Sequence, residues 1–192
     1  MKFIDLGLSS GILWAEENFV YETDDCFEWA YTSEDKIKGD ECSLYIKNIE
    51  FEDESGEKKE IEMLSKYCTF SCYGEEDGKV TLDLSDDIAN QLGNSKWRIP
   101  SALDFIELLD VDLCTMESDL NNNGVWIKSK LNGNKIFFKL GNYWSCSLNE
   151  INPLEAFAMV VDKTFPINRF RISIKPEHRS KSNFIRPIMI NK

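Results

Sequence analysis

The chain has one histidine, His178, in 192 residues. One histidine cannot build a histidine metal site, and this one sits in the basic stretch KPEHRSKSN, with no Ser/His/Asp order emerging around it. Basic residues are also few, 22 against 34 acids, for a formal net charge of −12. A surface of that sign repels phosphate backbones and anionic lipid, so no nucleic-acid partner is expected. No apolar run reaches the ~20 residues of a membrane-spanning helix, so no membrane insertion is expected either. The first residues, MKFIDLGLSSGILWAEEN, hold one lysine, an aspartate inside the apolar stretch and no small-residue cleavage site. They do not read as a secretory signal, and a cytoplasmic or virion-associated location is expected over a secreted one. There is no Cys-x-x-Cys pair, no glycine-rich phosphate loop, no internal repeat and no low-complexity tract.

What remains is an ordinary globular composition, 42% hydrophobic and 29% charged, long enough for one domain over residues 1–192 with a substantial core. Six cysteines, Cys26, Cys42, Cys68, Cys72, Cys114 and Cys146, are expected to be reduced thiols. Cys68 and Cys72 stand four apart, a spacing that makes a weak metal motif, and neither metal nor cofactor is expected.

The local patterns give the elements. FIDLG and ILWA around a Gly-Ser turn read as two strands. Residues 32–65 are charged, broken at Gly39 and Gly56, and read as a surface excursion with a hairpin near Gly56. KVTLDL reads as a short strand. SDDIANQLG reads as a helix with Ser85 as N-cap and Gly93 as its stop, which also accounts for the adjacent acids Asp86 and Asp87. In NSKWRIPSALDFIELLD, Pro100 forces Ile99 to be extended, and Ser101 and Asp104 form a capping box. Leu103, Ile106 and Leu109 then make a helical stripe that Phe105 and Leu108 widen. Arg98 is expected to be a buried fork of donors serving carbonyls at this corner. Asn132-Gly133 predicts a tight hairpin with both residues at positive φ. NYWSCS, EAFAMVVDK, RFRISI and NFIRPIMI follow as strands. Two helices between two sets of strands, without βαβ alternation, predict an α+β fold with a mainly antiparallel twisted sheet.

Several segments occur in a recognisable order: DLGLSSGILWAEEN, FEWAYTSED, LSKYCTFSCYGEEDGKVTLDLSDDIA, KWRIPSALDFIELL, NNGVWIKSKLNGNKIFF, YWSCS and FIRPI. Together they resemble the Fibrobacter succinogenes major paralogous domain family of gut Bacteroidota and their phages, over nearly the whole chain. The resemblance implies a C-type-lectin-like fold with two flanking helices, paired N- and C-terminal strands and a loop-rich C-terminal half that displays the ligand surface. It implies structural roles for Trp14, Trp97, Arg98, Pro100, Trp144 and Arg186. The chain departs from the family in its short FFKLGNYWS connection and in first residues that are not expected to act as the usual signal segment. It also lacks a glycine before the final Arg-Pro, where Asn183 is the expected positive-φ substitute.

Three functional classes follow. The first is a non-enzymatic binding or display domain for a protein or glycan partner. Its contact face is expected on the one basic stretch, Phe165, Asn168, Arg169, Phe170, Arg171, His178 and Arg179, with a rim at Asn149 and Asn152. The second is a virion component, a capsid decoration or tail part, assembled into a larger complex. The third is an enzyme like the formylglycine-generating group, disfavoured because Cys146 is the only late cysteine. No catalytic residues are assigned, and the Glu-Pro-Asn and Trp-Asn-Asp sets of calcium-dependent sugar binding are missing.

Overall fold

The computed structural model describes residues 1–33, 46–164 and 169–190. Its architecture is α+β and mainly antiparallel. Strands are numbered in chain order. β1 (Phe3–Asp5) pairs with β2 (Ile12–Ala15), β2 with β12 (Ile188–Ile190), and β12 with the two-residue β5 (Trp97–Arg98). A second sheet has the order β11 (Arg169–His178), β10 (Glu155–Thr164), β9 (Gly141–Leu148). A third is the meander β6 (Cys114–Asp119), β7 (Gly124–Ser129), β8 (Lys135–Lys139). β3 (Ile46–Glu52) and β4 (Lys58–Leu64) form a ribbon by themselves. The helices are α1 (Ile88–Leu92), entered from a 3-10 turn at Leu84–Asp86, and α2 (Ala102–Leu108).

The two ends of the chain share the first sheet, but the pairing is with the second strand. Ile188 lies opposite Trp14 and Ile190 opposite Ile12, while β1 flanks β2 on its other side.

The β9–β10 pair is buried on both faces. Tyr143, Met159 and Val161 turn toward one core, which also takes Trp14, Phe105, Leu108, Ile127, Phe138 and Ile188. Trp144, Cys146, Leu148, Ala156 and Ala158 turn toward a second core with Phe27, Trp29, Tyr67, Ile88 and Ile99. Alternation along a strand sends neighbours to opposite faces, so EAFAMVV needs apolar residues at nearly every position. Trp144 and Trp29 are buried with their indoles satisfied: Trp144 Nε1 donates to Phe27 O at 2.8 Å, and Trp29 Nε1 to Ser145 O at 2.8 Å.

Several local expectations are changed by tertiary contacts. KVTLDL runs beside β9 through Leu82 N to Cys146 O and Leu148 N to Val80 O, both 2.9 Å, with only one bridge of strand type, Thr81 to Ser147. The cap of α1 is Asp87, which accepts from Asn90 N, rather than Ser85. Gly93 ends that helix at φ −87°, and it is glycine for space: a Cβ would stand 2.6 Å from the Trp97 ring. In the β7–β8 hairpin only Gly133 has positive φ (+77°). Asn132 and Asn134 instead donate their side-chain amides to Asp5 O at 2.9 and 2.7 Å, pinning the tip to β1. The hairpin at Gly56 (φ +82°) forms as expected from its sequence. The α2 capping box is present, but the buried face is Phe105 and Leu108, while Leu103 and Ile106 are 74% and 54% exposed. A helix of seven residues buries about one turn, and the larger Phe105 ring, 5.5 Å from Trp14, sets which turn it is.

Arg186 joins three segments. Its Nε and Nη2 donate to Asn18 Oδ1 at 2.9 and 2.6 Å, Nη1 to Ala15 O and Glu16 O at 3.1 and 2.9 Å, and Nη2 to Phe137 O at 2.8 Å. The guanidinium lies 4.5 Å from the Phe138 ring centre. Burial lowers its pKa to about 10, so it stays charged at neutral pH. Asn183, the expected substitute for a positive-φ glycine, does not have positive φ. It is buried and exchanges backbone hydrogen bonds with Phe27, N to O and O to N, at 2.9 and 2.8 Å.

Replacing Arg186 by Lys keeps the charge and loses the planar fork. The ammonium cannot reach all three segments, so urea unfolding is expected to show a loss of about 3 kcal/mol or more. A loss under 1 kcal/mol would contradict this role.

Candidate functional site

The Trp-Arg-x-Pro corner is a hydrogen-bonded structural joint. Arg98 Nη1 donates to Asp104 Oδ2 at 2.8 Å and to Ile99 O at 3.1 Å. Asp104 Oδ2 also accepts from Ser101 N and Oγ at 2.6 and 2.8 Å, so one carboxylate caps α2 and holds the arginine. Arg98 and Trp97 are half-buried rather than mostly buried, and the Trp97 indole packs 5.4 Å from Phe3. Pro100 is buried, and its carbonyl accepts from Cys146 N at 2.8 Å.

Asp87 lies behind this corner, 2% exposed. It accepts from Ile99 N at 2.7 Å and from Asn90 N at 3.1 Å, while Asn90 Nδ2 donates to Trp97 O at 2.8 Å. α1 thereby caps the outer edge of β5. Burial raises the Asp87 carboxyl to about 6, outweighing the backbone N–H bonds that favour its ionised form. Cys146 is adjacent, and burial pushes its thiol up to about 12, which leaves no thiolate to act as a nucleophile near neutral pH. Asp86 accepts from Lys66 and from the Tyr67 hydroxyl, and Asp83 pairs with Lys66 at 2.9 Å and Lys79 at 2.5 Å. Both acids of the Asp86-Asp87 pair therefore have structural partners. Of the cysteines, Cys26, Cys68, Cys72, Cys114 and Cys146 are free thiols, and Cys72 is the exposed one. Cys42 lies outside the described residues. Among the described residues no three His, Cys, Asp or Glu side chains are grouped as a metal site.

The residues proposed for binding from sequence separate into two groups. Arg169 and Thr164 face each other at one end of the β10–β11 hairpin, and His178 and Glu155 at the other, nine steps away. At about 3.4 Å per step the ends are roughly 30 Å apart, so the basic stretch and the rim at Asn149–Asn152 do not make one face. Phe165 and Asn168 lie outside the described residues.

The rim end is structural. Asn149 donates to Glu155 Oε2 at 2.9 Å and accepts from Ile151 N at 3.2 Å, and Asn152 accepts from Leu154 N at 3.3 Å; both shape the β9–β10 turn. His178 is half-buried, with Nδ1 2.7 Å from Ser180 Oγ. Arg179, expected on the contact face, is 3% exposed. Its guanidinium lies 4.8 Å from the Trp29 ring centre and 5.8 Å from that of Tyr67, and it donates to Pro153 O at 3.0 Å and Tyr67 O at 3.3 Å. It is a second buried arginine of the Arg186 kind. An arginine after a strand looks the same in sequence whether it faces solvent or carbonyls, so only its carbonyl-rich surroundings mark its role.

The tip end is different. Phe170, Ile172 and Ile174 pack against the first core. Alternation therefore turns Arg169, Arg171 and Lys175 outward. Arg169 is exposed, and the side chains of Arg171 and Lys175 are 59% and 44% exposed. One carboxylate, Asp162, sits among them, 3.6 Å from Arg171 and 3.3 Å from Lys175. The free side of β11 is interrupted at two points: Phe170 N donates to Ser118 Oγ at 3.1 Å, and Pro176 has no N–H to offer. Against known proteins, no family model, no curated protein and no solved structure matches this chain.

Asp87 makes a signed prediction. Its folded carboxyl titrates near 6, above the ordinary 3.8. The native state therefore holds this proton more tightly than the unfolded chain does, and the group adds stability as pH falls from about 7 to about 4. Asp87→Asn removes the titration. Urea unfolding of both proteins at several pH values should show the stability gap in favour of wild type widening toward pH 4; a gap that narrows would contradict the raised pKa.

Proposed function

We propose that this chain is a non-enzymatic, C-type-lectin-like binding domain whose contact surface is the outward face of the β10–β11 hairpin near its tip. One observation supports this reading above the others: Arg169 and Arg171 stand outward together at the tip, and Lys175, farther along β11, shares the Asp162 carboxylate with Arg171, on a chain of net charge −12. Three cations on one rigid ribbon suit a carboxylate- or sulfate-bearing partner, because guanidinium forks pair with planar oxyanions. Phe170 below them anchors the ribbon in the core rather than contacting the partner. The C-type-lectin-like assignment rests on the ordered sequence motifs. The pairing of β12 with β2 and the helices α1 and α2 among the described residues are in keeping with it.

The double variant Arg169→Glu/Arg171→Glu tests the surface. With its melting temperature unchanged, it should bind sulfated and carboxylated glycans and acidic peptides on an array at least tenfold more weakly than wild type. Equal binding by the folded variant would remove this face from the account.

A further inference from the structure

The backbone of β11 has groups to offer a partner besides its cations. Two contacts fix which of them face β10. Arg179 N donates to Leu154 O at 2.9 Å, and Phe170 N turns away from β10 to Ser118 Oγ at 3.1 Å. Antiparallel pairing alternates bonded and non-bonded pairs along a ladder. The odd-numbered residues of β11 therefore bond to β10, and the N–H and C=O groups of Ile172 and Ile174 point to the opposite side. Pro176 belongs to that same set, so its missing N–H breaks no bond to β10. Among the described residues β10 is the only strand beside β11. Ser118 and Pro176 thus bound a short open edge, with two N–H and two C=O groups at its centre.

The side chains along this edge are sorted by face. Phe170, Ile172 and Ile174 pack against the first core yet are only half-buried, so the rim of that core is open beside them. Arg169, Arg171 and Lys175 lie on the other face. Directly opposite residues of neighbouring strands share a face, with Cβ atoms about 5 Å apart. A second copy of β11 suits this edge poorly. Paired antiparallel about Ser173, it would set Arg171 opposite Lys175, and like charges directly opposite are destabilising. A strand with carboxylates at those two positions reverses the sign.

We propose that the open edge of β11 receives an extended acidic segment of a partner protein as an added antiparallel strand. Its pattern is acid, aliphatic, any residue, aliphatic, acid. The acids stand opposite Arg171 and Lys175, and the aliphatic side chains stand opposite Ile172 and Ile174 at the rim of the core. This rests on the β10–β11 contact surface proposed above and names its ligand. Backbone bonds to Ile172 and Ile174 supply affinity, and the cations select the sequence. Asp162 holds Arg171 and Lys175 at 3.6 and 3.3 Å through partly exposed side chains, a weak arrangement that incoming carboxylates can replace.

The probe is a capped synthetic peptide, Thr-Glu-Val-Thr-Val-Glu-Thr, titrated into the full chain up to about 1 mM, the weak end of specific association. Amide hydrogen exchange at Ile172 and Ile174 should slow at least about tenfold at saturation, with β3 and β4 unchanged. The same peptide with lysine for both glutamates should bind at least about tenfold more weakly. No binding by about 1 mM would overturn the proposal. So would binding that leaves the Ile172 and Ile174 amides unprotected, or equal binding of the lysine peptide. Protection of these amides by self-association without peptide would also overturn it, in favour of a second copy. In each of these cases the folded Arg169→Glu/Arg171→Glu variant separates the two claims. Weakened binding of acidic array ligands by that variant would keep the contact surface and discard only the added strand. Unchanged binding would discard both.

Discussion

The buried guanidinium of Arg186 is the constraint around which the fold is arranged. Five hydrogen bonds satisfy it, four from carbonyl or amide oxygens of residues 15–18 and one from Phe137 O. Residues 15–18 lie where β2 leaves its sheet, and Phe137 is the middle residue of the edge strand β8, which pairs with β7 on one side. Buried carbonyls must find donors, and a planar fork with five N–H groups serves several at once. Arg179 repeats the device for Tyr67 and Pro153 in the second core, stacked against Trp29. Each arginine also supplies a flat face to an aromatic ring, so the charge is packed as well as bonded. Removing either would leave carbonyls unpaired in a dry interior, which costs more than the bonds themselves contribute.

The acids do corresponding work for donors. Asp87 serves two backbone amides behind the proline corner. Asp77 accepts from Tyr67 N, Cys68 N and Lys79 N. Asp119 accepts from Asn122 and the Trp126 indole. Much of the fold is short strands joined by irregular segments, and side-chain carboxylates satisfy the amides that no ladder reaches. Part of the −12 net charge is therefore structural, and the exposed cations of β11 stand out against it.

Legibility in sequence followed the range of each interaction. The capping box at Ser101 and Asp104, the turn at Gly56 and the apolar run of β10 are local signals, and the structure carries all three. The phase of α2 was not legible, because Leu103 and Phe105 are equally apolar and only the position of Trp14 selects between them. The asparagines of LNGN looked like turn formers, whereas Asn132 and Asn134 contact Asp5, more than a hundred residues away. The basic stretch read as one face because sequence distance hides the length of a ten-residue hairpin. Its two halves lie at opposite ends, and its exposed arginines are both at the Arg169–Arg171 end.

If Arg186 ties β2, β8 and the β12 approach into one unit, these segments must open together. Native-state hydrogen exchange of backbone amides is the most direct measurement. Amides of β2, β8, β9 and β12 should exchange with one common free energy, equal to that of global unfolding. Exchange of β2 and β12 through a smaller local opening, while β8 and β9 stay protected, would contradict the account.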